Sequence, residues 1–264
     1  MPNLEELLQT YGRIPDLTSF RRPLFIGPHP DDIEFGCGAL ISRYRALGVP
    51  VTCVIVTDGG AGSPDRDLPP EALSATRREE SLAAAAVLGI EPERVLFLNL
   101  EDGGTWPVED AVRLLAPVIL RFSPDVLFAP DSRLRTECHG DHIKTGEAVR
   151  RLTQIVSYPE TLRRHGVDIS AYPRLPSAIT LALYFTDEPN TLVPVTPEDL
   201  NAKLQALQCH RSQMQGQEAQ LLLGYFQLKA QKLGQGSGTG LAEDYPVLLP
   251  LMQHVYSEGV NPGQ

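Results

Sequence analysis

The sequence lacks several features that would assign it to other classes of protein. No apolar stretch approaches the roughly 20 residues that a membrane-spanning helix needs. The first residues lack the basic-then-apolar pattern of a secretory signal, and no run of Lys and Arg suggests a surface for nucleic acid. The four cysteines are scattered, without a Cys-x-x-Cys motif. These absences predict a cytoplasmic protein that neither spans a membrane nor binds nucleic acid.

The composition is that of an acidic globular protein. The chain has 264 residues, and 23 Lys and Arg stand against 33 Asp and Glu, which gives a formal net charge of −10. Such a balance disfavours contact with the phosphate backbone of nucleic acids. A chain of this length can bury a full core. We expect one domain over residues 1–264, with a core at 1–185 and a C-terminal helical appendage at 186–264.

Strand-like and helix-like segments alternate through the first two thirds of the chain. Apolar, often β-branched runs predict five strands, at residues 23–27, 51–56, 95–98, 125–129 and about 178–185. Amphipathic segments predict the intervening helices, at residues 37–47, 73–88, 108–122 and from about 141. Pro117 predicts a kink or break in the third helix. This alternation predicts an α/β fold with a Rossmann-like, mostly parallel sheet of order 3-2-1-4-5 and helices on both faces.

The last third of the chain has a different pattern. Pro197 and the acids that follow it begin a predicted helix, and a second helix is expected at about 217–233. Residues 234–240 are rich in Gly, Ser and Thr, which predicts a loop.

Two polar clusters each follow a predicted strand. The first is Pro-His-Pro-Asp-Asp at residues 28–32, and the second is His-Gly-Asp-His at 139–142. In the predicted order strands 1 and 4 are neighbours, and ligands bind at the carboxyl ends of strands at such a switch point. Imidazole and carboxylate groups are ligands of Zn²⁺, and they also suit Fe²⁺ or another divalent metal. The clusters therefore predict a catalytic metal site where the two strands end.

The first cluster can supply both a ligand pair and a base. His29 and Asp32 can face the same metal from one tight turn, which Pro30 stiffens. The neighbouring Asp31 points in a different direction. One acid can therefore bind the metal while the other removes a proton from water.

The second cluster is divided by the expected start of a helix. Its two histidines are three residues apart, and on one helix they would share a face. Because the helix is expected to begin between them, His142 is better placed as the ligand and His139 as a supporting or catalytic imidazole. Asp141 can orient a ligating histidine by accepting its other N–H.

The order of these motifs resembles the LmbE-like, or PIG-L-type, N-acetylglucosaminyl deacetylases. The strongest matches are His-Pro-Asp-Asp with the following Gly-x-Gly, at residues 29–38, and the His-x-x-His cluster. Weaker matches occur at residues 57–59, 77–80, 102–103 and 124–126. Together the motifs cover roughly residues 23–215.

The resemblance implies a zinc enzyme that removes acetyl from a small N-acetylglucosamine conjugate. It implies that His29, Asp32 and His142 bind the metal. Asp31 would be the general base for a metal-bound water, and His139 would stabilise or protonate the tetrahedral intermediate. It also implies a set of substrate-binding polar residues, which are Arg77, Asp58 and Asp102.

Other interpretations of these residues stay open. Asp31 and Asp32 could cap the turn into the next helix, and Arg77 and Glu80 could be an ordinary surface pair. The alternative functions are hydrolysis of a different amide, in antibiotic or thiol-cofactor metabolism, and non-hydrolytic nucleotide binding by a Rossmann module. The acidic first turn and the missing G-x-G-x-x-G spacing oppose the latter. The sequence leaves homo-oligomer formation open.

Overall fold

A central sheet of six strands organises the protein, whose computed structural model describes residues 12–253 except 173 and 178. Its strands are β1 (Pro23–Gly27), β2 (Thr52–Thr57), β3 (Val95–Leu100), β4 (Val126–Pro130), β5 (Thr180–Tyr184) and β8 (Val247–Leu248). They lie in the order β3-β2-β1-β4-β5-β8. The first five are parallel, and β8 is antiparallel to β5. The predicted order 3-2-1-4-5 is confirmed, and β8 extends it at one edge.

Seven helices of the described part of the chain surround the sheet. They are α1 (Asp32–Ala46), α2 (Pro70–Val87), α3 (Val108–Phe122), α4 (Gly140–Ile155), α5 (Pro159–Arg164), α6 (Pro197–Leu207) and α7 (Gly216–Ser237). A separate hydrophobic core lies on each face of the sheet. Along β1, Phe25 belongs to one core and its neighbours Leu24 and Ile26 belong to the other. This alternation is expected of a strand covered on both faces.

Two details of the helices differ from the prediction. The prediction placed the start of α1 at its apolar stripe, at Cys37, but the acidic residues ahead of that stripe are helical too. Helix α1 therefore begins at Asp32. Helix α3 runs as one helix through Pro117, so the predicted break is wrong. The apolar side of α3, including Leu115 and Ile119, is fully buried, and this packing holds the helix together across the proline.

The C-terminal segment contains the two predicted helices, α6 and α7, and also short strands that the sequence did not suggest. Strand β6 (Thr191–Pro194) pairs with β7 (Ala242–Tyr245) in an antiparallel two-stranded sheet. Helix α7 continues to Ser237, so the first part of the predicted loop at 234–240 is helical. The predicted fifth strand is present as β5, although Ala178 lies outside the described residues. The single-domain organisation stays a prediction.

The sheet determines where the two polar clusters meet. Strands β1 and β4 are hydrogen-bonded neighbours, with Phe25 beside Phe128. The residues after β1 lead directly into α1, and those after β4 lead into α4. None of the described helices is long and apolar enough to cross a bilayer.

Candidate active site

The two histidine clusters meet at the carboxyl ends of β1 and β4, as predicted. Oδ2 of Asp32 lies 3.0 Å from Nδ1 of His29, and Oδ1 of Asp32 lies 3.3 Å from Nε2 of His142. The ring of His139 is 4.5 Å from the ring of His29 and 5.0 Å from that of His142, between centroids. One buried carboxylate therefore lies between two imidazoles, and a third imidazole lies beside them.

A strained turn places the two acids of the first cluster. Asp31 precedes α1 with φ of 130° and makes no capping hydrogen bond from its side chain. A positive φ is unfavourable for a residue with a side chain, and such strain concentrates at functional sites. The backbone N–H of His29 donates to Oδ2 of Asp32 at 2.9 Å. The capping interpretation is thus wrong for Asp31, and Asp32 faces His29 from within the helix.

The second cluster lies at the beginning of α4. His139 is the N-cap residue, and its Nδ1 accepts a hydrogen bond from the backbone N–H of Asp141. His142 follows in the first turn, and its ring stacks on Phe185 with centroids 5.8 Å apart. The two histidines differ in exposure, since His139 is exposed and His142 is half-buried.

Glu137 is a site residue that the sequence analysis missed. Its Oε2 lies 2.9 Å from Nδ1 of His142, and its Oε1 accepts a hydrogen bond from the backbone N–H of His139 at 2.7 Å. An N–H on Nδ1 that donates to this carboxylate leaves Nε2 of His142 to face Asp32. The available signal was an acid in the short loop just before the His-x-x-His cluster.

Two further carboxylates surround the other side of His29. Nε2 of His29 lies 3.2 Å from Oδ1 of Asp102 and 3.4 Å from Oδ2 of Asp141. This nitrogen is buried and makes no hydrogen bond of good geometry. Asp141 also contacts Nζ of Lys144 at 2.8 Å. Asp141 therefore lies beside His29 and not beside its sequence neighbour His142.

Arg77 is buried below the first cluster. Its guanidinium donates to the carbonyl oxygens of Pro30 and Gly59, at 2.9 and 3.1 Å, and lies 3.3 Å from Oδ2 of Asp31. The surface pair of Arg77 with Glu80 is not observed, because Glu80 accepts hydrogen bonds from the backbone and hydroxyl of Ser212. Through these hydrogen bonds, Arg77 links the loop after β2 to the turn after β1.

The side chain of Asp58, in the loop after β2, accepts hydrogen bonds from the backbone. Its Oδ1 accepts hydrogen bonds from the backbone N–H groups of Gly60 and Asp102, at 2.9 and 3.2 Å. Asp102 in turn accepts from the backbone N–H of Ala61 at 3.0 Å. The two predicted substrate-binding acids thus connect the loops that follow β2 and β3.

The adjacent acids of the first cluster have opposite electrostatic environments. Burial raises the pKa of Asp31 to about 7, with a further contribution from the charge of Asp32, and nearby Arg77 only partly offsets this. Burial also opposes ionisation of Asp32, but hydrogen bonds with His142 and His29 hold the pKa of Asp32 well below its usual range. Asp32 is therefore an anion at neutral pH, while Asp31 can exchange a proton there.

The donor set fits a divalent cation. Ligand atoms of His29, His139 and His142 lie within 4.8 Å of one another, and so do those of His29, Asp102 and Asp141. Asp32 contacts two of these histidines. The concentration of carboxylates around buried imidazoles favours a cation, and nitrogen and oxygen donors suit zinc and ferrous iron. The described residues therefore include a His/Asp cluster that can hold a metal.

The Gly-x-Gly motif serves packing. A Cβ atom at Gly36 would lie 2.3 Å from the ring of Tyr184, and one at Gly38 would lie 2.8 Å from the side chain of Lys203. Both glycines let α1 approach β5 and α6 closely. This explanation removes the main support for a nucleotide-binding interpretation of the motif.

The chain is similar to known deacetylases over most of its length. Residues 24–153 match the PIG-L family model, described as GlcNAc-PI de-N-acetylase. A diacetylchitobiose deacetylase of Thermococcus kodakarensis is 26% identical over 89% of this chain and 86% of its own length. A 1D-myo-inositol 2-acetamido-2-deoxy-alpha-D-glucopyranoside deacetylase 2 of Catenulispora acidiphila is 30% identical over 70% of this chain and 66% of its own length. The solved structure of N,N'-diacetylchitobiose deacetylase from Pyrococcus horikoshii, bound to its inhibitor MPG, has a TM-score of 0.83 with 28% identity, and the match covers 97% and 96% of the two chains.

Proposed function

Because this chain belongs to the PIG-L (LmbE-like) family, we propose that it is a metal-dependent hydrolase that removes acetyl from an N-acetylglucosamine conjugate. One observation carries the proposal. The buried Asp32 lies within 3.3 Å of imidazole nitrogens of both His29 and His142, and the separate acid Asp31 is adjacent to it. Metal-assisted hydrolysis of an amide requires a set of metal-binding side chains and, beside it, a carboxylate that does not bind the metal and can act as the base.

We assign the metal to His29, Asp32 and His142, with Zn²⁺ as the first candidate and Fe²⁺ as the second. Bound there, the metal would act as a Lewis acid, polarising the acetyl carbonyl and lowering the pKa of water. Glu137 contacts the remaining ring nitrogen of His142. Acidic partners of this kind orient ligating histidines and raise their basicity.

Asp31 is the general base of this proposal. As the water oxygen adds to the acetyl carbon, Asp31 accepts the proton that the water loses. The same proton then passes to the amine nitrogen as the C–N bond breaks, so the products are acetate and a free amine. Burial raises the pKa of Asp31 above its usual range, which favours both transfers, because an efficient proton-transfer group has a pKa near the working pH.

His139 is assigned to the oxygen that becomes negatively charged. Its ring lies beside those of His29 and His142, and its side chain is exposed. An N–H of His139 can donate to the developing oxyanion, which is where a preorganised donor contributes most. This role does not require His139 to bind the metal.

The names of the relatives support an acetamido sugar as the substrate class, since one acts on diacetylchitobiose and another on an acetamido-deoxy-glucopyranoside of inositol. Direct substrate contacts by Arg77, Asp58 and Asp102 stay a prediction. All three residues connect the loops that border the cluster. We infer that they shape the sugar site at least as much as they touch the substrate.

The test combines metal analysis with acetate release. The purified protein should carry about one divalent metal per chain and release acetate from at least one member of a panel that includes diacetylchitobiose and an N-acetylglucosaminyl inositol. A chelator should abolish the release, and zinc or ferrous iron should restore it. The His142→Ala variant is the matched control and should lack both metal and activity. A metal-loaded protein that releases acetate from no conjugate would contradict the proposal.

A further inference from the structure

An open cavity of about 560 Å³ lies between helix α4 and the β5–β8 edge of the sheet. Its apolar lining comes from Ile143 and Ile155 of α4, Leu181 of β5 and Leu248 of β8. Sites for small organic ligands have volumes of about 300–1,000 Å³ and mostly apolar walls. None of the residues proposed above to bind the metal or the substrate lines this cavity. The cavity is therefore a ligand-sized space outside the candidate active site.

The charges that line this cavity are mainly positive. Arg133, Arg150 and Arg151 line it against one acid, Glu147, although the whole chain has a net charge of −10. The charge of Arg151 is compensated, because its guanidinium contacts Glu147 and Glu109 at 2.5 Å each. Arg133 is exposed, and its guanidinium forms no ion pair with a described residue. The cavity thus carries a positive charge that the described part of the chain does not neutralise.

The buried Asp131 fixes the positions of two of these arginines. Its Oδ1 accepts hydrogen bonds from the backbone N–H of Arg133 at 3.0 Å and from the guanidinium of Arg150 at 3.1 Å. The hydroxyl of Thr186 donates to Oδ2 of Asp131 at 3.1 Å. Because these bonds already hold the guanidinium of Arg150, a ligand that contacts it would lose little side-chain entropy on binding.

Arg150 keeps an unused donor and has a like charge nearby. Its Nε is buried and makes no hydrogen bond with a described residue. Burial lowers the pKa of Arg150, the charge of Asp131 opposes this shift, and the charge of Arg133 lowers the pKa further. The two guanidinium groups therefore repel each other. An anion in the cavity would reduce this repulsion and offer an acceptor to the guanidinium groups.

We propose that this cavity binds a small organic anion, with its carboxylate or phosphate group on Arg133 and Arg150 and its carbon body against Ile143, Leu181 and Leu248. Planar guanidinium groups form paired hydrogen bonds with both carboxylates and phosphates. The apolar lining favours a ligand with a carbon body over a bare inorganic ion, because burial of that body removes apolar surface from water. The site is independent of the proposed deacetylation, whose acetamido-sugar group carries no charge.

Isothermal titration calorimetry of the full-length protein at low ionic strength tests the ligand class. Phenyl phosphate and benzoate probe the two anionic groups, and at least one of them should bind. The matching ion without the ring, inorganic phosphate or acetate, should bind at least about tenfold more weakly. Benzyl alcohol, which has the ring without the charge, should not bind. Absence of binding by both aromatic anions, or binding of benzyl alcohol with equal affinity, overturns the proposal.

Two arginine variants test the location. Arg133→Gln removes the exposed charge but keeps the backbone hydrogen bond to Asp131, so affinity for the aromatic anion should fall about ten- to a hundredfold. Arg150→Lys keeps a charge beside Asp131 but loses the planar fork, and affinity should fall about tenfold. Arg121→Gln, an exposed residue of α3 outside the cavity, is the matched control and should bind as the wild type does. Circular dichroism verifies that each variant is folded. An affinity unchanged by Arg133→Gln overturns the proposal and assigns the anion to another place, such as the metal cluster.

Discussion

Asp32 and His29 are joined by two contacts, since Oδ2 of Asp32 lies 2.9 Å from the backbone nitrogen and 3.0 Å from Nδ1 of His29. Both contacts form within one turn of chain between β1 and α1. The turn therefore arranges two of the proposed metal ligands locally. The third, His142, is brought to them by the pairing of β1 with β4.

Replacing Asp31 should remove the general base, whereas replacing the adjacent Asp32 should remove a metal ligand. Asp31→Asn keeps the size of the side chain and removes only the basic oxygen, so the variant should keep its metal and release acetate far more slowly. Asp32→Asn should weaken metal binding, and added zinc should restore part of its rate. Metal titration and acetate release on both variants are the measurements. Rescue of Asp31→Asn by zinc, or a metal-loaded and inactive Asp32→Asn, would reverse the assignment.

His139 should matter for turnover more than for the metal. His139→Ala should retain most of the metal and lower kcat about 10²- to 10³-fold, as for the loss of an oxyanion donor. Metal content by mass spectrometry and steady-state kinetics measure the two effects. Loss of metal in proportion to activity would show that His139 is a ligand.

Glu137 should control metal affinity through His142. Glu137→Ala removes the carboxylate that contacts Nδ1 of His142, and affinity for the metal should fall about 10- to 100-fold. Glu137→Gln keeps a hydrogen-bond acceptor and should lose less. Cys138→Ala is the control, because Cys138 is the exposed next residue. Competition with a chelator measures the affinities, and equal values for Glu137→Ala and the wild type would remove this role.

Arg77 should affect the chemical step. Its guanidinium is 4% exposed and contacts Asp31 and two backbone carbonyl oxygens, so Arg77→Lys should misplace Asp31 and lower kcat while KM changes little. The exposed neighbour provides the control, as Arg78→Lys should leave both constants unchanged. A large rise in KM at constant kcat would support the direct substrate contact implied by the family resemblance.

A buried ion pair should stabilise the C-terminal segment. Nζ of Lys203 lies 2.7 Å from Oε1 of Glu243, and both side chains are buried. Lys203→Met removes the cation beside Glu243, which keeps hydrogen bonds from the backbone N–H groups of Ala39 and Leu40 and from the hydroxyl of Tyr245. Because these bonds partly compensate, the free energy of unfolding should fall by about 3 kcal/mol, the low end for a broken buried pair. Lys229→Met breaks a more exposed pair with Asp244 and should cost at most about 1 kcal/mol. Urea denaturation of both variants measures the difference, and equal costs would contradict the prediction.

Much of the scaffold was predictable because its signals are local or topological. Helix α3 has the predicted bounds, Val108–Phe122, since its apolar periodicity is strong. The strand order followed from β-α alternation and right-handed crossovers. That order also predicted that residues 28–32 and 139–142 would meet, although more than a hundred residues separate them.

The sequence by itself determined the residue types of the site, the turn that joins His29 to Asp32, and the strands whose ends bring His142 to them. Only the tertiary structure decided which groups support those residues. Glu137 contacts His142, and Arg77 lies buried under Asp31. These partners come from different loops and helices, and close packing of the whole chain selects them. A local pattern specifies a turn or a helix, but it does not specify which distant side chain will be close enough to form a hydrogen bond.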